Sequence, residues 1–168
     1  YSVIASDAPS AWSGGVAFFY REHDSFEVEE QKIWGPNVLS FQMVTGRDRY
    51  FVVGAYISPT DLTALADVDK AWKQCPKGCK PMLLGDLNIN LEYPRNERDV
   101  AVAEQIVEMD LMDMSRQFCQ RRRRRIRGRW TWQQRRRGRW VSSQADYLLA
   151  REGDRRRFRN VALRKPHN

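Results

Sequence analysis

The chain has 168 residues, a length typical of one domain, and it carries a formal net charge of +8 at pH 7. No apolar stretch reaches the roughly 20 residues that cross a bilayer, so the sequence excludes a helical membrane protein and predicts no membrane partner. Three cysteines are too few for a disulfide framework, and with two histidines they do not make a zinc site, so we expect free thiols in an intracellular protein.

The positive charge lies almost entirely in the last third of the chain. Residues 1–115 contain 10 Lys or Arg and 18 Asp or Glu, whereas residues 116–168 contain 19 and 3. A basic segment attached to an acidic body favours a polyanion as partner, with nucleic acid as the leading candidate. Arginine-rich codon usage in a GC-rich genome would produce the same excess without a function, and this alternative stays open.

The first half of the chain predicts a sheet followed by a helix. After a polar loop over residues 1–14, apolar or alternating runs predict strands at 16–20, 27–34, 38–44 and 50–57, with a hairpin turn at 46–49. The run at 50–57 is apolar on both faces and should be a central strand. A helix follows Ser58-Pro59-Thr60-Asp61, with Thr60 as its cap.

Strand and helix alternate in the middle of the chain. The predicted elements are a strand at 82–84, a helix at 97–109, short strands at 130–133, 140–141 and 147–149, a hairpin tip at 135–138 and a last strand at 158–163. The second helix should bury a face made of Val100, Ala103, Ile106 and Val107. This order argues for an α/β layered fold in which helices cover a sheet.

The strand at 82–84 ends abruptly at Gly85-Asp86-Leu87-Asn88. In extended backbone, Asp86 and Asn88 would share a face and project together from the strand end. Gly85 has no Cβ, so backbone or ligand can approach closely, and a water or a phosphate oxygen could be held between the carboxylate and the carboxamide. The alternative is that this tetrapeptide only ends a core strand in a turn.

Four short motifs follow one another along the chain. They are Gly54-Ala55-Tyr56-Ile57-Ser58-Pro59, Gly85-Asp86-Leu87-Asn88, Trp130-Thr131-Trp132 and Ser143-Gln144-Ala145-Asp146-Tyr147-Leu148-Leu149. Together they resemble the endonuclease/exonuclease/phosphatase superfamily, and most closely the apurinic-like endonuclease domain of LINE-type (non-LTR) retrotransposons. The resemblance implies a single partial domain over residues 1–168 of α+β type: a four-layer α/β sandwich of two packed, mainly antiparallel sheets with outer helices, incomplete at both ends.

By this resemblance the chain belongs to a phosphodiesterase that nicks target DNA for retrotransposon insertion and depends on a divalent metal, Mg²⁺. Asp86 would align and deprotonate the attacking water, Asn88 would orient that water and touch the phosphate, and Tyr56 would donate its phenol to a phosphate oxygen. Asp146 would hold a catalytic histidine in the correct tautomer. The alternatives are that Tyr56 caps the core and that Asp146 ends a strand.

The basic segment at 116–159 holds the residues that we expect to bind DNA. They are Arg121, Arg122, Arg123, Arg124, Arg125, Trp130, Arg135, Arg136 and Arg137. The arginines would hold backbone phosphates on either side of the cut, whereas Trp130 and Trp132 share a strand face and such pairs pack more often than they stack on bases. The resemblance also implies RNA as a second partner, a fused reverse transcriptase in the parent protein and action in the nucleus.

Some functional residues of the family have no counterpart in this sequence. The family's pattern begins with a strand that carries an Asn, followed by a Gln-Glu pair whose glutamate binds the metal, and it closes with Ser-Asp-His; His167 lacks that context. We therefore expect the metal glutamate to lie outside this sequence and the 168-residue chain to be inactive on its own. Two other functions stay open, a non-catalytic nucleic-acid-binding remnant and a lipid or inositol phosphatase of the same superfamily.

Overall fold

The computed structural model describes residues 1–7, 14–22, 25–114, 132–136, 139–143 and 145–157. Contacts divide the chain into two compact units, Tyr1–Gly85 and Asp86–Asn168. Each unit contains both strands and a helix. Within the described ranges, no helix is long and apolar enough to cross a membrane.

The first unit contains two sheets and one helix. Its elements are β1 (Ser2–Ala5), β2 (Ala17–Tyr20), β3 (Glu27–Gly35), β4 (Val38–Thr45), β5 (Asp48–Tyr56), α1 (Thr63–Lys73) and β6 (Lys80–Asp86). β1 and β2 pair antiparallel as a small sheet, and the larger sheet has the order β3-β4-β5-β6 in this unit. The predicted strands are confirmed. β1 was not predicted, because the first residues of the chain suggested only a polar loop.

The larger sheet of the first unit is covered on both faces. Strand β4 is buried on both parities, from Val38 to Gln42, because side chains alternate between the two faces of a strand. One face meets β2, where the rings of Phe18 and Phe41 lie 4.5 Å apart between centroids. The other face meets α1, since a Cβ on Gly35 would collide with the carboxylate of Asp67. The small sheet, the larger sheet and α1 are therefore three successive layers.

The start of α1 differs from the predicted cap. The N-cap position is Leu62, and no side chain caps the helix there. Instead, Asp61 Oδ1 accepts a hydrogen bond of 2.9 Å from the backbone nitrogen of Thr63, while the hydroxyls of Ser58 and Thr60 bond to each other. The predicted cap at Thr60 is therefore wrong, because this hydroxyl is used within the preceding loop.

The second unit contains one helix and several short strands. Its elements are α2 (Glu97–Glu108), β7 (Met112–Asp113), β8 (Trp132–Arg136), β9 (Arg139–Ser143), β10 (Asp146–Ala150) and a 3-10 helix at Glu152–Arg157. β10 pairs antiparallel with β7, and β8 pairs antiparallel with β9. Because Arg136 pairs with Arg139, Arg135 and Arg136 are strand residues rather than the predicted hairpin tip. The predicted strand at 158–163 lies outside the described residues.

Helix α2 has the predicted length but buries a different face. Asn96 caps it, and its side chain accepts from the backbone nitrogen of Asp99 at 2.8 Å. The buried residues are Asp99, Val102 and Ile106, whereas Val100 and Val107 are 43% and 75% exposed. The predicted face is wrong except at Ile106. The predicted stripe and the buried stripe have similar apolar content and share Ile106, and the polar contacts of Asp99 favour burial of the second.

Candidate active site

The approach to the site depends on a close contact between β5 and β6. Gly85 has a φ of +150°, a conformation that L side chains rarely adopt, and a Cβ at this position would overlap the carbonyl oxygen of Ala55. The sequence-based prediction that Gly85 allows close backbone approach is confirmed. A predicted site residue follows each partner of this contact. Tyr56 follows Ala55 at the end of β5, and Asp86 follows Gly85 at the end of β6.

Directly after Asp86 the chain turns. The backbone nitrogen of Asn88 donates to Asp86 Oδ1 at 2.9 Å, and Asn88 has a left-handed φ of +50°. The prediction that both side chains project from one extended strand is therefore wrong in geometry. The physical reason is that an Asp side chain readily bonds to the backbone two residues later, and Asn tolerates the left-handed region better than most residues.

Buried anchors hold this turn on both sides. Leu87 and Ile89 are buried, and the backbone nitrogen of Leu87 donates to the carbonyl of Ala145 at 2.8 Å. The Tyr147 hydroxyl accepts from the backbone nitrogen of Leu91 and donates to the carbonyl of Ile89, both at 3.1 Å. The start of β10, where the predicted site residue Asp146 lies, is thus fixed to the turn that follows Asp86.

Arg98, in the first turn of α2, also binds the turn. Its Nη2 donates to the carbonyl of Leu87 and its Nη1 to the carbonyl of Asn88, each at 3.1 Å. Nη1 also lies 3.1 Å from Asp99 Oδ1. Sequence reasoning missed Arg98. The available signal was that a cation in the first turn of a helix is opposed by the helix dipole and so needs a specific partner.

The charges around Asp86 set its acidity. Burial raises the pKa of Asp86, the hydrogen bond from the Asn88 nitrogen lowers it, nearby Asp146 raises it and Arg98 lowers it, with burial the largest effect. Asp86 is half-buried, whereas Asp146 is exposed at the first position of β10. The structure therefore brings Asp86, Asn88 and Asp146 together around one turn of the second unit.

Comparison with known proteins identifies the fold. No family model and no curated protein sequence matches this chain. Among solved structures, it is similar to the endonuclease domain of TRAS1, a telomere-specific non-LTR retrotransposon, with a TM-score of 0.62 and 17% identity over 90% of this chain and 68% of that one. The chain has the endonuclease/exonuclease/phosphatase fold.

Two TDP2 structures with the same fold are also similar. The D. rerio protein, complexed with a single-strand DNA product, has a TM-score of 0.51 and 12% identity over 83% of this chain and 58% of that one. The C. elegans protein has a TM-score of 0.53 and 12% identity over 90% and 47%. The predicted α+β sandwich and the resemblance are thereby confirmed at the level of fold. The chain spans about half the length of these TDP2 chains.

The structure says less about the other predicted site residues. Tyr56 is half-buried in the first unit, where its backbone nitrogen donates to the carbonyl of Asn37 at 2.9 Å. The structure describes Arg135 and Arg136 as backbone of β8. The rest of the predicted DNA-binding set lies outside the described residues: Arg121, Arg122, Arg123, Arg124, Arg125, Trp130 and Arg137.

The resemblance implies a divalent metal, which the residues of this fold would have to bind. In the part of the chain that the structure describes, no group of three or more His, Cys, Asp or Glu is arranged to bind a metal ion. Asp86 and Asp146 supply two carboxylates, which suit Mg²⁺ only when other oxygen ligands complete the octahedron. The described residues thus do not form a metal site on their own.

Proposed function

We propose that this chain is part of a nuclease that hydrolyses a phosphodiester bond of DNA. The observation that carries the proposal is the Asp86–Asn88 turn, which holds a half-buried carboxylate at a strand end of an endonuclease/exonuclease/phosphatase fold. Burial and Asp146 raise the pKa of Asp86. A carboxylate with a raised pKa accepts a proton from water more readily than an exposed one, and a fixed turn keeps it in one position.

In the proposed reaction, each side chain has one task. Asp86 aligns a water and takes its proton, and the Asn88 carboxamide orients that water and contacts the phosphate. The water oxygen bonds to phosphorus while the bond from phosphorus to one sugar oxygen breaks, and that departing oxygen takes a proton from solvent. The phenol of Tyr56 donates a hydrogen bond to a phosphate oxygen as negative charge develops there, and Asp146 orients a histidine. A divalent metal would need oxygen ligands beyond Asp86 and Asp146, and when bound it would neutralise phosphate charge.

We propose DNA as the substrate on two grounds. The similar TRAS1 domain is an endonuclease of a retrotransposon, and the D. rerio TDP2 structure contains a single-strand DNA product. The basic segment of this chain suits a long polyanion. The finer proposal is a LINE-type element that nicks its target in the nucleus, with a reverse transcriptase in the same protein and RNA as a second partner.

Asp86→Asn tests the assignment in the natural full-length protein. We expect nicking of supercoiled plasmid with Mg²⁺ to fall by about 100-fold or more, because the carboxylate that accepts the proton is lost. Affinity for DNA should change little. The matched control is Asp110→Asn, which makes the same chemical change at an exposed residue whose φ of +56° Asn tolerates. Equal nicking by parent and Asp86→Asn would refute the assignment.

A non-catalytic DNA-binding role is the second candidate for the 168-residue chain alone. Two observations favour it. The described residues offer a metal only the carboxylates of Asp86 and Asp146, fewer than a metal site needs, and the basic segment suits DNA. We expect the purified chain to bind duplex DNA and to show no Mg²⁺-dependent nicking. Robust nicking would refute this candidate, and hydrolysis of an inositol phosphate in preference to DNA would favour a phosphatase.

A further inference from the structure

The turn after Asp86 needs external support. Asn88 adopts a left-handed φ of +50°, which costs an L residue free energy relative to ordinary helical or extended backbone. The bond from the Asn88 nitrogen to Asp86 Oδ1 closes the turn locally. It leaves the carbonyls of Leu87 and Asn88, at the centre of the turn, to be bonded by another part of the chain.

We propose that Arg98 is a positioning residue for the Asp86 carboxylate, acting through the backbone of the turn. This inference rests on the proposed nuclease function. The guanidinium donates to the two carbonyls that follow Asp86, those of Leu87 and Asn88. A planar group with several donors in a fixed arrangement can hold two neighbouring carbonyls at once, which a flexible ammonium does less well.

Arg98 is itself held in place by a buried carboxylate. Its side chain is 13% exposed and pairs with Asp99, whose side chain is 8% exposed. Asp99 Oδ2 also accepts from the backbone nitrogen of Arg95 at 3.1 Å, and the nitrogen of Asp99 donates to the Asn96 cap. The first turn of α2 therefore holds Asp99 in place, and Asp99 holds Arg98. Through Arg98, the helix restrains the backbone of the turn that follows Asp86.

These contacts distinguish positioning from direct phosphate binding. Both terminal nitrogens of Arg98 donate to protein oxygens, and little of the side chain is exposed. A phosphate-binding arginine would instead present its donors to the substrate and would contribute to the salt dependence of DNA affinity. Arg98 therefore affects the reaction by fixing where Asp86 and Asn88 lie, and misplacement by about 1 Å can cost about 100-fold in rate.

The test is Arg98→Gln in the natural full-length protein, measured in two ways. Amide hydrogen exchange over residues 87–91 should become at least about tenfold faster, while exchange in β4 and β5 of the first unit stays unchanged. In the nicking assay kcat should fall by about 10- to 100-fold, while KM and the salt slope of DNA binding stay within about twofold. If the Gln variant does not fold, Arg98→Lys is measured the same way and should show smaller changes in the same direction.

The matched control is Arg95→Gln, which removes the same charge from an exposed side chain three residues earlier and should change neither measurement. The proposal would be overturned by a rise in KM with unchanged kcat, which would mean substrate binding, or by unchanged exchange at residues 87–91. Uniformly faster exchange across the whole chain would overturn it as well. Failure of the proposed function is separate, since it is judged by Asp86→Asn alone.

Discussion

Gly85 and Asn88 flank the proposed catalytic carboxylate with two backbone conformations that few residues accept. Gly85 has a φ of +150° and no room for a Cβ, and Asn88 has a φ of +50°. Glycine and asparagine are the residue types that tolerate such values. The chemistry proposed for Asp86 and the backbone path that presents it are therefore set by the same four residues.

Gly85→Ala should strongly destabilise the fold. The added Cβ would overlap the Ala55 carbonyl, which is backbone and cannot rotate away, so we expect a loss of at least about 2 kcal/mol in the free energy of unfolding by urea denaturation. Two controls separate the causes. Gly78 has a positive φ but open space around it, so Gly78→Ala should lower the free energy of unfolding by about 1 kcal/mol. Gly153 has open space and no positive φ, so Gly153→Ala should change it little. Equal losses at all three positions would contradict the argument.

Tyr147 links acidity to stability. Burial raises the pKa of Tyr147 from 10.0 to about 12, so the folded protein favours the neutral phenol that donates to Ile89. The associated stability is fully present below pH 10 and is lost as pH rises through about 12. Tyr147→Phe should cost about 1–3 kcal/mol at neutral pH, because Ile89 and Leu91 lose their partner. The gap between parent and variant should narrow in urea denaturation between pH 10 and 12, and a constant gap would refute this.

At the scale of elements, packing decides which of two similar apolar stripes of α2 is buried. Val100, Ala103 and Val107, which periodicity favoured, instead line an open groove of about 450 Å³ on the surface of the helix. The buried stripe contains the charged residue Asp99, which a count of apolar residues penalises. Its burial is tolerated because the Asp99 carboxylate accepts hydrogen bonds from the Arg98 guanidinium and from the backbone nitrogen of Arg95.

Truncation of one valine on each face tests this assignment. Val102→Ala should lower the free energy of unfolding by about 1–3 kcal/mol, because Val102 is fully buried and its loss leaves a cavity. Val107→Ala should change stability by less than about 0.5 kcal/mol, since Val107 is 75% exposed and alanine is the better helix former. Thermal or urea unfolding of both variants provides the comparison. A larger loss at Val107 than at Val102 would mean that the helix is rotated.

At the scale of the whole molecule, charge is segregated along the chain. Residues 1–115 have a net charge of −8 and residues 116–168 a net charge of +16. An acidic body repels DNA, so binding would have to use the basic segment. The run Arg121, Arg122, Arg123, Arg124 and Arg125 lies outside the described residues, and its role is a prediction from the sequence.

Replacing these five arginines by Ser should weaken binding to all duplex sequences alike. Each phosphate contact contributes about −0.9 to the slope of log affinity against log salt, so we expect the slope to flatten by about two to four units. The measurement is a binding titration at several salt concentrations on two unrelated sequences. Replacing Lys70, Lys73 and Lys77 of the first unit by Ser serves as the control and should leave the slope unchanged. An unaltered slope in the Arg variant would favour biased codon usage as the origin of the run.

Local signals in the sequence determined most of the elements of this protein. Alternation and apolar runs predicted β2 to β6, helical spacing predicted α1 and α2, and the glycine before Asp86 correctly marked a close backbone approach. Four motifs in order also predicted the fold that the solved structures confirm. The strands and helices could be predicted because their patterns depend on neighbours within a few residues.

Tertiary structure alone decided the geometry of the site. The bonds from Arg98 to the carbonyls of Leu87 and Asn88 join segments about ten residues apart, and no periodicity reveals them. The burial of Asp99 was likewise not visible in the sequence pattern. The physical reason is that a buried polar group must find a partner, and several residues in the sequence could have served. Which of them does so depends on how α2 packs, and packing is a property of the folded chain.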